Sequence, residues 1–382
     1  MSEPILAIVG AAEAPSADLG GLTPAGLVAE AMGVALSQTA LGRTDIDGLL
    51  SASAYHYMPT LTLGEYLGIV PTYSDSTTIG GSSFVSHLGH AAAAIRAGMC
   101  TTALVGYGST QRSDGARTVR SMSEPSAYEA PHGGLWPIAG YALMARRHMH
   151  EYGTTSEQLA EVAVAAREWA LLNPASPAKE PLTIADVLGS PLVSDPLHRY
   201  DCCLVTNGGG ALIVTSPERA ADVCENPIYV LSCAESHTAR YVTGMADLTT
   251  SPAALTGPRA LERSGLGLAD IDVFQLYDSF TIAVLVTLEG LGLCPKGSAG
   301  EFVADGRLRP GGTLPVNTWG GGLSTRHPGM LGLFLLIEAV VQLRGLGGPR
   351  QVPGAATALV HGLGGVHMSG ATAVLANGSA LA

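Results

Sequence analysis

The sequence carries little charge for its length, and basic residues are the scarcer kind. Among 382 residues, 20 are Lys or Arg and 32 are Asp or Glu, which gives a formal net charge of -12. This balance argues against nucleic acid as a main partner, because binding to phosphates needs basic patches. No apolar run reaches the ~20 residues of a membrane-spanning helix, and the N-terminus lacks the pattern of a signal peptide. We therefore expect no membrane span and no nucleic-acid partner.

Cysteine is scarce as well. The six cysteines form no CxxC pair and show no metal-ligand spacing, a pattern typical of a reduced, cytoplasmic protein with buried thiols. The glycine string NGGGA at 207–211 is no dinucleotide-binding fingerprint, because its spacing and the element after it are wrong. We expect neither a metal nor a redox cofactor.

Apolar residues and glycines are abundant. Hydrophobic residues make up 47% of the chain, and its 49 glycines lie between periodic segments, where they predict turns. Apolar strand-like runs alternate with helical patterns, which predicts an α/β fold with a mixed or parallel sheet and helices on its faces. From about residue 112 to 196 the pattern changes to polar helix and loop. We therefore expect an N-terminal half (1–111 and 197–222), an inserted cap or loop domain (112–196) and a C-terminal half (223–382).

The two halves repeat each other. LSQTALGRTDIDGLL in the first matches LERSGLGLADIDVFQL in the second, and IGGSSFVSHLGHAAAAIRAG has the plan of WGGGLSTRHPGMLGLFLLIEAVVQLRG. This is a pseudo-duplication with two related helices that have glycine-rich N-termini. Many folds mount a nucleophile on such a turn, but the first turn reads Gly80-Gly81-Ser82-Ser83 and contains no cysteine.

Several strings resemble the thiolase superfamily, and most closely its sterol-carrier, lipid-transfer-type branch. They are HEYGTTSEQLAEVAV (150–164), QLYDSF (275–280), NTWGGGLSTRHP (317–328) and HGLGG (361–365). The resemblance covers essentially the whole chain. It implies the thiolase fold, with two pseudo-duplicated βαβαβαββ halves in a five-layer arrangement and an inserted cap domain. It also implies an acyl-CoA substrate.

Two departures from that family bear on the reaction. Gly81 stands at the position of the family's nucleophilic cysteine, and a thiolase needs a thiolate to take the acyl group. Ser82 and Ser83 are near, but a helix N-terminus that activates a cysteine does not activate an alcohol at neutral pH. Tyr277 stands where this branch has a histidine. Both changes resemble the nucleophile-less, thiolase-like aldolases that cleave sterol side chains, although those carry a tyrosine where this chain has His327.

The resemblance implies the roles of the site residues. Tyr277 or His327 takes the β-hydroxyl proton, with the choice between them left open. His361 stabilises the thioester enolate, and Asp278 is a helix cap or a supporting contact. The turn at 81–83 is expected to leave room for a bulky β-carbon and to offer backbone N–H groups to an oxyanion. We further expect Pro328 to open a helix, which places His327 at its N-cap.

The predicted activity is that of an acyl-CoA aldolase, a lyase that breaks or forms the Cα–Cβ bond of a β-hydroxyacyl-CoA without a covalent acyl-cysteine. Two alternatives stay open. One is an acyltransferase or Claisen-type enzyme working through Ser82, Ser83 or non-covalent enolate chemistry. The other is a non-catalytic thiolase-fold subunit whose partner carries the cysteine. The resemblance also implies a homodimer, and a small zinc-ribbon/OB-fold subunit that would complete a heterotetramer.

Other basic residues receive structural interpretations. His87 and His90 lie three residues apart on the predicted helix after the first turn, but no third ligand is visible, which favours core or interface histidines. Arg146, Arg147 and His148 could meet CoA phosphates, although a solvated helix face is the simpler interpretation.

Overall fold

In the described residues, a mixed sheet of nine strands contains strands from both the N-terminal and the C-terminal half. The structure is a computed structural model, and it describes residues 1–15, 21–115, 127–133 and 136–381. The strands are β1 (Leu6–Glu13), β2 (Gly48–Ser51), β3 (Tyr73–Asp75), β4 (Thr102–Ser109), β5 (Leu192–Ser194), β6 (Leu197–His198), β7 (Gly208–Thr215), β8 (Ile228–His237), β9 (Val273–Leu276), β10 (Thr357–Gly364) and β11 (Ser369–Ala376). The short pair β5–β6 forms a separate hairpin.

The strand order of the large sheet is β3-β2-β4-β7-β1-β8-β11-β10-β9. The N-terminal half supplies the first five strands of that order and the C-terminal half the last four. β1 and β8 pair antiparallel and join the two halves into one sheet. β3 forms one edge of the sheet, and β9 pairs in parallel with β10 at the other.

Helices cover both faces of the sheet. They are α1 (Pro24–Leu36), α2 (Pro59–Leu67), α3 (Ser83–Arg96), α4 (Ile138–Tyr152), α5 (Ser156–Leu171), α6 (Ile184–Gly189), α7 (Pro217–Val223), α8 (Ala253–Ser264), α9 (Thr281–Leu291), α10 (Ala299–Ala304), α11 (Gly332–Leu343) and α12 (Gly378–Leu381). α1 packs on β1, β4 and β7, and α8 packs on β8 and β11. α3 and α11 contact each other and strands of both halves. These two helices therefore form a central layer between the strands of the N-terminal half and those of the C-terminal half.

The start of α1 follows the sequence signals. Thr23 lies just before the helix in extended conformation, and its hydroxyl oxygen accepts a hydrogen bond from the Gly26 backbone N–H at 3.1 Å. Pro24 occupies the first helical position, where its missing N–H costs no hydrogen bond. Thr23 is therefore the N-cap of α1.

The repeated string DID performs the same local task in both halves. Asp47 lies just before β2, and its carboxylate accepts hydrogen bonds from the Thr101 and Thr102 backbone N–H groups at 2.8 Å each. Asp272 lies just before β9, and its carboxylate accepts from the Ala356 and Thr357 N–H groups at 2.8 and 3.0 Å. Each aspartate therefore ties the start of one strand to the start of its neighbour.

The halves differ in their third strand. β3 pairs in parallel with β2 in the N-terminal half. The equivalent stretch of the C-terminal half makes one isolated bridge, between Val316 and Phe274, in the residues that are described. This shortened segment leads directly into the second glycine-rich turn.

Helix α4, which lies in the segment predicted as an inserted cap, is attached to the predicted C-terminal half by buried polar contacts. His148 of α4 is fully buried, and its imidazole lies 3.1 Å from both carboxylate oxygens of Glu289 on α9. Lys296 also reaches Glu289, at 2.9 Å. His148 is thus a core residue and not part of a solvated face, whereas Arg146 and Arg147 pair on the surface with Asp195 and Glu151.

None of the helices in the described ranges has the length and apolar character needed to cross a membrane.

Candidate active site

The first glycine-rich turn has no free space beside Gly81. A Cβ atom at position 81 would lie 2.0 Å from Cε2 of the Tyr277 ring and 2.7 Å from the Leu363 carbonyl oxygen. The tyrosine ring therefore fills the volume that a side chain of residue 81 would need. The expectation that Gly81 leaves room for a bulky β-carbon is wrong, because that room is taken by Tyr277.

Ser82 and Ser83 are fully buried, and their hydroxyls are used within the turn. Ser82 Oγ donates to the Ile79 carbonyl at 2.7 Å and contacts the hydroxyl of Ser369. Ser83 Oγ donates to the Gly80 carbonyl at 2.7 Å and accepts from the Ile79 N–H at 2.9 Å. Neither hydroxyl contacts a histidine or carboxylate in the described structure, so neither has the adjacent base that an alcohol nucleophile needs.

Tyr277 follows β9 and presents its hydroxyl to three groups of the second glycine-rich segment. The oxygen accepts from the Leu331 backbone N–H at 3.3 Å, and its one proton can reach Nε2 of His327 at 3.2 Å or the Gly329 carbonyl at 3.4 Å. The side chain is buried, and that burial raises its pKa well above 10. At neutral pH the group is therefore a phenol that can donate a proton.

His327 stands against this phenol. The centroids of the two rings are 5.6 Å apart, and the ring planes are nearly perpendicular. The backbone of His327 is held by Thr206, whose hydroxyl accepts from the His327 N–H at 3.1 Å and whose own N–H donates to the His327 carbonyl at 3.3 Å. Burial lowers the pKa of the imidazole to about 4. The ring is consequently neutral at pH 7 and able to accept a proton.

The approach to His327 differs from the expected helix N-cap. Residues Gly321–Thr325 form one wide turn, closed by the Arg326 N–H donating to the Gly321 carbonyl at 3.1 Å. The following helix, α11, begins only at Gly332, so Pro328 is not its first residue. Instead, the Pro328 carbonyl accepts a 2.6 Å hydrogen bond from the Tyr107 hydroxyl. His327 therefore lies in an extended loop fastened at both ends.

Asp278 holds this loop to the end of β9. Its buried carboxylate accepts hydrogen bonds from the Gly322 and Leu323 N–H groups at 2.8 and 3.2 Å. Burial raises its pKa to about 7, while the N–H donors act in the opposite direction. Gly321 has a φ of +59°, and a Cβ there would lie 2.0 Å from Asp278 Oδ2, so only glycine fits. Asp278 therefore fixes the glycine-rich segment that precedes His327.

Asn317 is a supporting residue that the sequence reasoning missed. Its amide oxygen accepts from the Leu276 N–H and its amide nitrogen donates to the Leu276 carbonyl, both at 2.8 Å. The side chain thus takes the place of a neighbouring strand just before Tyr277. Its φ of +52° is a left-handed conformation that asparagine tolerates better than most residues. In the sequence, the signal that could have indicated this role is an asparagine shortly before a glycine-rich turn.

The His361 imidazole is not placed with this pair. Its backbone carbonyl accepts from the Tyr277 N–H at 3.0 Å, but its Nδ1 lies 2.8 Å from the Thr372 hydroxyl on β11. Side chains alternate along a strand, and a Cβ on the next residue, Gly362, would lie 3.0 Å from Ser82 Cα. Gly362 therefore faces the turn and His361 faces away from it. The structure brings Tyr277 and His327 together and leaves the imidazole of His361 on the other face of β10.

The other candidate ligands form no metal site. Nε2 of His87 contacts the Thr77 carbonyl at 3.1 Å, and Nδ1 of His90 contacts Asp75 at 2.6 Å. No group of three or more His, Cys, Asp or Glu side chains suited to a metal ion occurs among the described residues.

Comparison with known proteins identifies the class. The family model described as Thiolase C-terminal domain-like matches residues 234–377. The 17-hydroxy-3-oxo-4-pregnene-20-carboxyl-CoA lyase of Mycobacterium tuberculosis is 34% identical over 359 residues, which cover 89% of this chain and 91% of the relative. An acetyl-CoA acetyltransferase of Methanothermobacter thermautotrophicus is 29% identical over 377 residues, covering 94% and 96%. The chain belongs to the thiolase family.

A solved structure agrees with this assignment. A chain of the Ltp2-ChsH2(DUF35) aldolase superposes with a TM-score of 0.86 at 30% identity, and the match covers 97% of both chains. These relatives include a lyase, an aldolase and an acyltransferase. Family membership thus establishes the thiolase fold, while the choice of reaction depends on the site.

Proposed function

We propose that this protein is a thiolase-like acyl-CoA aldolase, a lyase that breaks or forms the Cα–Cβ bond of a β-hydroxyacyl-CoA. The observation that carries the proposal is the contact between the Tyr277 phenol and the His327 imidazole, next to a turn whose nucleophile position is filled by the tyrosine ring. Position 81 offers no thiol for acyl transfer, whereas the pair holds a neutral acid beside a neutral base, which a retro-aldol reaction needs.

The pair can move the required proton without a net change of charge. His327 Nε2 accepts the β-hydroxyl proton as the Cα–Cβ bond breaks and the β-carbon becomes a ketone or aldehyde. The bond electrons form the enolate of the shortened acyl-CoA. Tyr277 then gives its proton to Cα, and the 3.2 Å contact returns the proton from His327 to the phenolate oxygen. The Leu331 N–H supports that transient phenolate.

The enolate oxygen can be held by backbone donors of the first turn. α3 is a helix of 14 residues that starts at Ser83; the Ser83 N–H is bound to the Gly80 carbonyl, and the positive end of the helix favours an anion near it. In this proposal His361 acts through its carbonyl, which fixes the Tyr277 backbone, because its imidazole faces away. The substrate is a coenzyme A thioester, and no residue of the pair requires a further cofactor for these steps.

We also propose a homodimer. β3 is an edge strand with unpaired backbone groups, and edges of this kind are usually covered. Large exposed apolar side chains surround α2, which leads to that edge: Tyr57, Leu61, Tyr66 and Val70. Apolar patches of this kind mark contact surfaces. The six free thiols are the basis for proposing a cytoplasmic location.

A second subunit, a small zinc-ribbon/OB-fold protein, is proposed from the resemblance. The aldolase that superposes on this chain, Ltp2-ChsH2(DUF35), carries a DUF35 component in its name, which supports a two-subunit assembly. The test is the mass of the co-expressed pair by size-exclusion chromatography with light scattering. Two copies of each chain are expected, and a fully active homodimer without the small subunit would contradict the heterotetramer.

The acyltransferase alternative has the similarity to an acetyl-CoA acetyltransferase in its favour. Against it, both serine hydroxyls of the first turn are bound to carbonyls of that turn. The non-catalytic alternative has to explain why two titratable side chains are buried in contact, since each is costly to desolvate.

The deciding experiment is an assay of carbonyl release from a panel of β-hydroxyacyl-CoA thioesters. Wild type, Tyr277→Phe and His327→Ala are compared with and without the small subunit, and Tyr229→Phe serves as a matched control on β8. A loss of about 100-fold or more in the first two variants supports the aldolase, because that is the scale of a lost acid or base. Acyl transfer without carbonyl release would contradict it.

A further inference from the structure

The string CLVTNGGG at 203–210 leads from the predicted cap segment into β7, and no step of the proposed chemistry uses it. Its glycines lack the spacing of a dinucleotide-binding loop. Thr206, Asn207 and the three glycines are nevertheless buried. The contacts of this string are therefore internal, and they lie beside the reacting pair.

The first residues of the string connect the two segments that carry this pair. The Cys203 N–H donates to the Ser279 carbonyl at 2.9 Å, in the segment that follows β9. The Leu204 N–H donates to the Gly322 carbonyl at 3.0 Å, in the second glycine-rich turn. The string thus bridges the segment of the phenol and the segment of the imidazole.

Thr206 pairs with the backbone of His327 through two polar groups. Its hydroxyl accepts from the His327 N–H at 3.1 Å, and its own N–H donates to the His327 carbonyl at 3.3 Å. His327 lies in a loop outside the described strands, so its backbone has no strand partner there. Because a buried backbone group without a partner is costly, Thr206 determines where the His327 backbone lies.

Gly208 packs against the next residue of the same loop. A Cβ at position 208 would lie 2.8 Å from Cγ and 3.0 Å from Cβ of Pro328. The Gly208 backbone is not left-handed, so the close approach of the proline ring alone calls for glycine. The Pro328 carbonyl is bound on the neighbouring strand β4 by the Tyr107 hydroxyl at 2.6 Å.

The glycines of the string face two sides. A Cβ at Gly210 would lie 2.9 Å from Ile337 of α11, on the side of the string that Gly208 also faces. A Cβ at Gly209 would instead lie 2.5 Å from Leu27 of α1. This is the alternation of an extended chain, and it separates the His327 loop from α1.

We propose that Thr206 and Gly208 are positioning residues that hold the His327 loop and thereby set the distance between the imidazole and the Tyr277 hydroxyl. Their contacts are with the backbone of His327 and the ring of Pro328, so they act through His327. The inference rests on the proposed aldolase chemistry and extends it to the connection between the cap segment and β7.

The distance that these residues set is critical for proton transfer. Nε2 of His327 and the phenol oxygen are 3.2 Å apart, at the long end of the range for a hydrogen bond that transfers a proton. A displacement of about 1 Å in such a site costs on the order of 100-fold in rate. Small changes at positions 206 and 208 should therefore be visible in kcat.

The first test removes the Thr206 hydroxyl. Thr206→Val keeps the shape of the side chain, and Thr206→Ser keeps the hydroxyl. Thr215→Val is the matched control, because Thr215 is buried at the other end of β7 and its hydroxyl donates to the Thr101 carbonyl at 2.9 Å. Steady-state carbonyl release and a thermal melt are measured for each variant.

The second test uses two neighbouring glycines. Gly208→Ala places a methyl group against Pro328, whereas Gly209→Ala places one against Leu27 on the opposite side. Both changes crowd the interior, but only Gly208→Ala crowds the loop of His327. The same two measurements are made.

Thr206→Val and Gly208→Ala are expected to lower kcat about 10- to 100-fold with KM within about threefold of wild type, because only proton transfer is impaired. Thr206→Ser should retain most of kcat. Thr215→Val and Gly209→Ala should lower the melting temperature and leave kcat within about threefold of wild type. Losses of kcat that follow the melting temperature in all four variants would overturn the proposal.

A measurement without turnover separates this proposal from the lyase function. The two rings of the pair are nearly perpendicular with centroids 5.6 Å apart, so the ring current of Tyr277 acts on the ring protons of His327. Their NMR signals, assigned by their loss in His327→Ala, should shift in Thr206→Val and Gly208→Ala and stay in place in the two controls. Such shifts in a protein that releases no carbonyl would support the positioning role and contradict the aldolase. Unmoved signals in both variants would overturn the positioning role whatever the activity.

Discussion

The two halves of the molecule each place a glycine-rich turn before a central helix, and they use it differently. In the first turn, before α3, both serine hydroxyls fold back onto carbonyls of the turn itself. In the second turn, before α11, the Asp278 carboxylate accepts hydrogen bonds from backbone N–H groups of the turn. The loop that follows places His327 against the Tyr277 hydroxyl. The same kind of turn holds its own serine side chains in one half and is followed by a loop that presents a titratable side chain in the other.

The link between the two turns is the Tyr277 ring. It comes from the end of β9, reaches His327 with its hydroxyl and fills the side-chain space of Gly81 with its ring. The lack of a side chain at Gly81 in the first turn therefore allows the Tyr277 ring to reach His327 beside the second turn. The absence of a side chain at Gly81 and the presence of the Tyr277 ring in its place are therefore one structural change.

The largest effect on lyase activity should come from removing the Tyr277 hydroxyl. Tyr277→Phe keeps the ring that packs against Gly81, so the melting temperature should hardly change. Lyase kcat/KM should fall by about 100- to 10⁴-fold, because the acid of the pair is lost. Steady-state carbonyl release and a thermal melt measure the two quantities. A variant with more than a tenth of wild-type activity would break the assignment of the phenol.

Gly81→Ala tests whether the two turns are sterically coupled. The added methyl group meets the Tyr277 ring and the Leu363 carbonyl, so we expect a loss of about 1–3 kcal/mol in unfolding free energy from overpacking. Activity should fall about 100-fold as the phenol is displaced.

The control for this coupling is the same change in a Tyr277→Ala background. There the two closest contacts of the methyl group, both with the Tyr277 ring, are gone and the Leu363 carbonyl contact stays, so the loss of unfolding free energy should be smaller than in wild type. Equal losses in both backgrounds, measured by denaturant titration, would show that the ring and Gly81 are independent.

The pH dependence of stability and of lyase activity should distinguish a buried, neutral His327 from a solvent-exposed histidine. The pKa of His327 is about 4 in the folded protein and near 6.5 when unfolded. Between these values the unfolded chain binds the additional proton, so the stability that His327 contributes should be full above about pH 6.5 and fall as the pH drops toward 4. Asp278, whose pKa is raised to about 7, contributes in the opposite direction, so the His327 contribution is the difference between the pH profiles of wild type and His327→Ala. Lyase activity should fall near pH 4, where His327 can no longer accept a proton. A loss of activity centred at pH 6.5 would contradict the buried, neutral base.

The smallest effect on lyase activity is expected when a serine hydroxyl of the first turn is removed. Ser83→Ala removes two hydrogen bonds within the turn, and about 1–2 kcal/mol of stability should go with them. Lyase activity should stay within a few-fold of wild type. An abolished activity in a variant that remains folded would instead favour a serine nucleophile.

Much of the architecture could be predicted from the chain alone. The duplication and the helix after the first glycine-rich turn follow from local patterns that the structure confirms. The two DID strings marked equivalent strand starts in both halves. These features depend on residues close in sequence, where periodicity and capping chemistry act directly.

The parts of the site that were missed depend on contacts between distant segments. No local pattern tells that a ring at position 277 fills the space beside Gly81. The face of His361 is equally hidden, because both faces of β10 are buried and its apolar residues show no alternation. Pro328 carries a helix-start signal, but its loop is fastened by Tyr107 and Thr206, and tertiary contacts override the local preference.

The most direct test of the account is a single-turnover reaction of wild-type protein with a cleavable β-hydroxyacyl-CoA, followed by chromatography and intact protein mass. The account predicts one carbonyl product and one shortened acyl-CoA per substrate consumed, with the protein mass unchanged throughout. An acyl adduct on the protein that forms and decays at the rate of turnover, without carbonyl release, would contradict it.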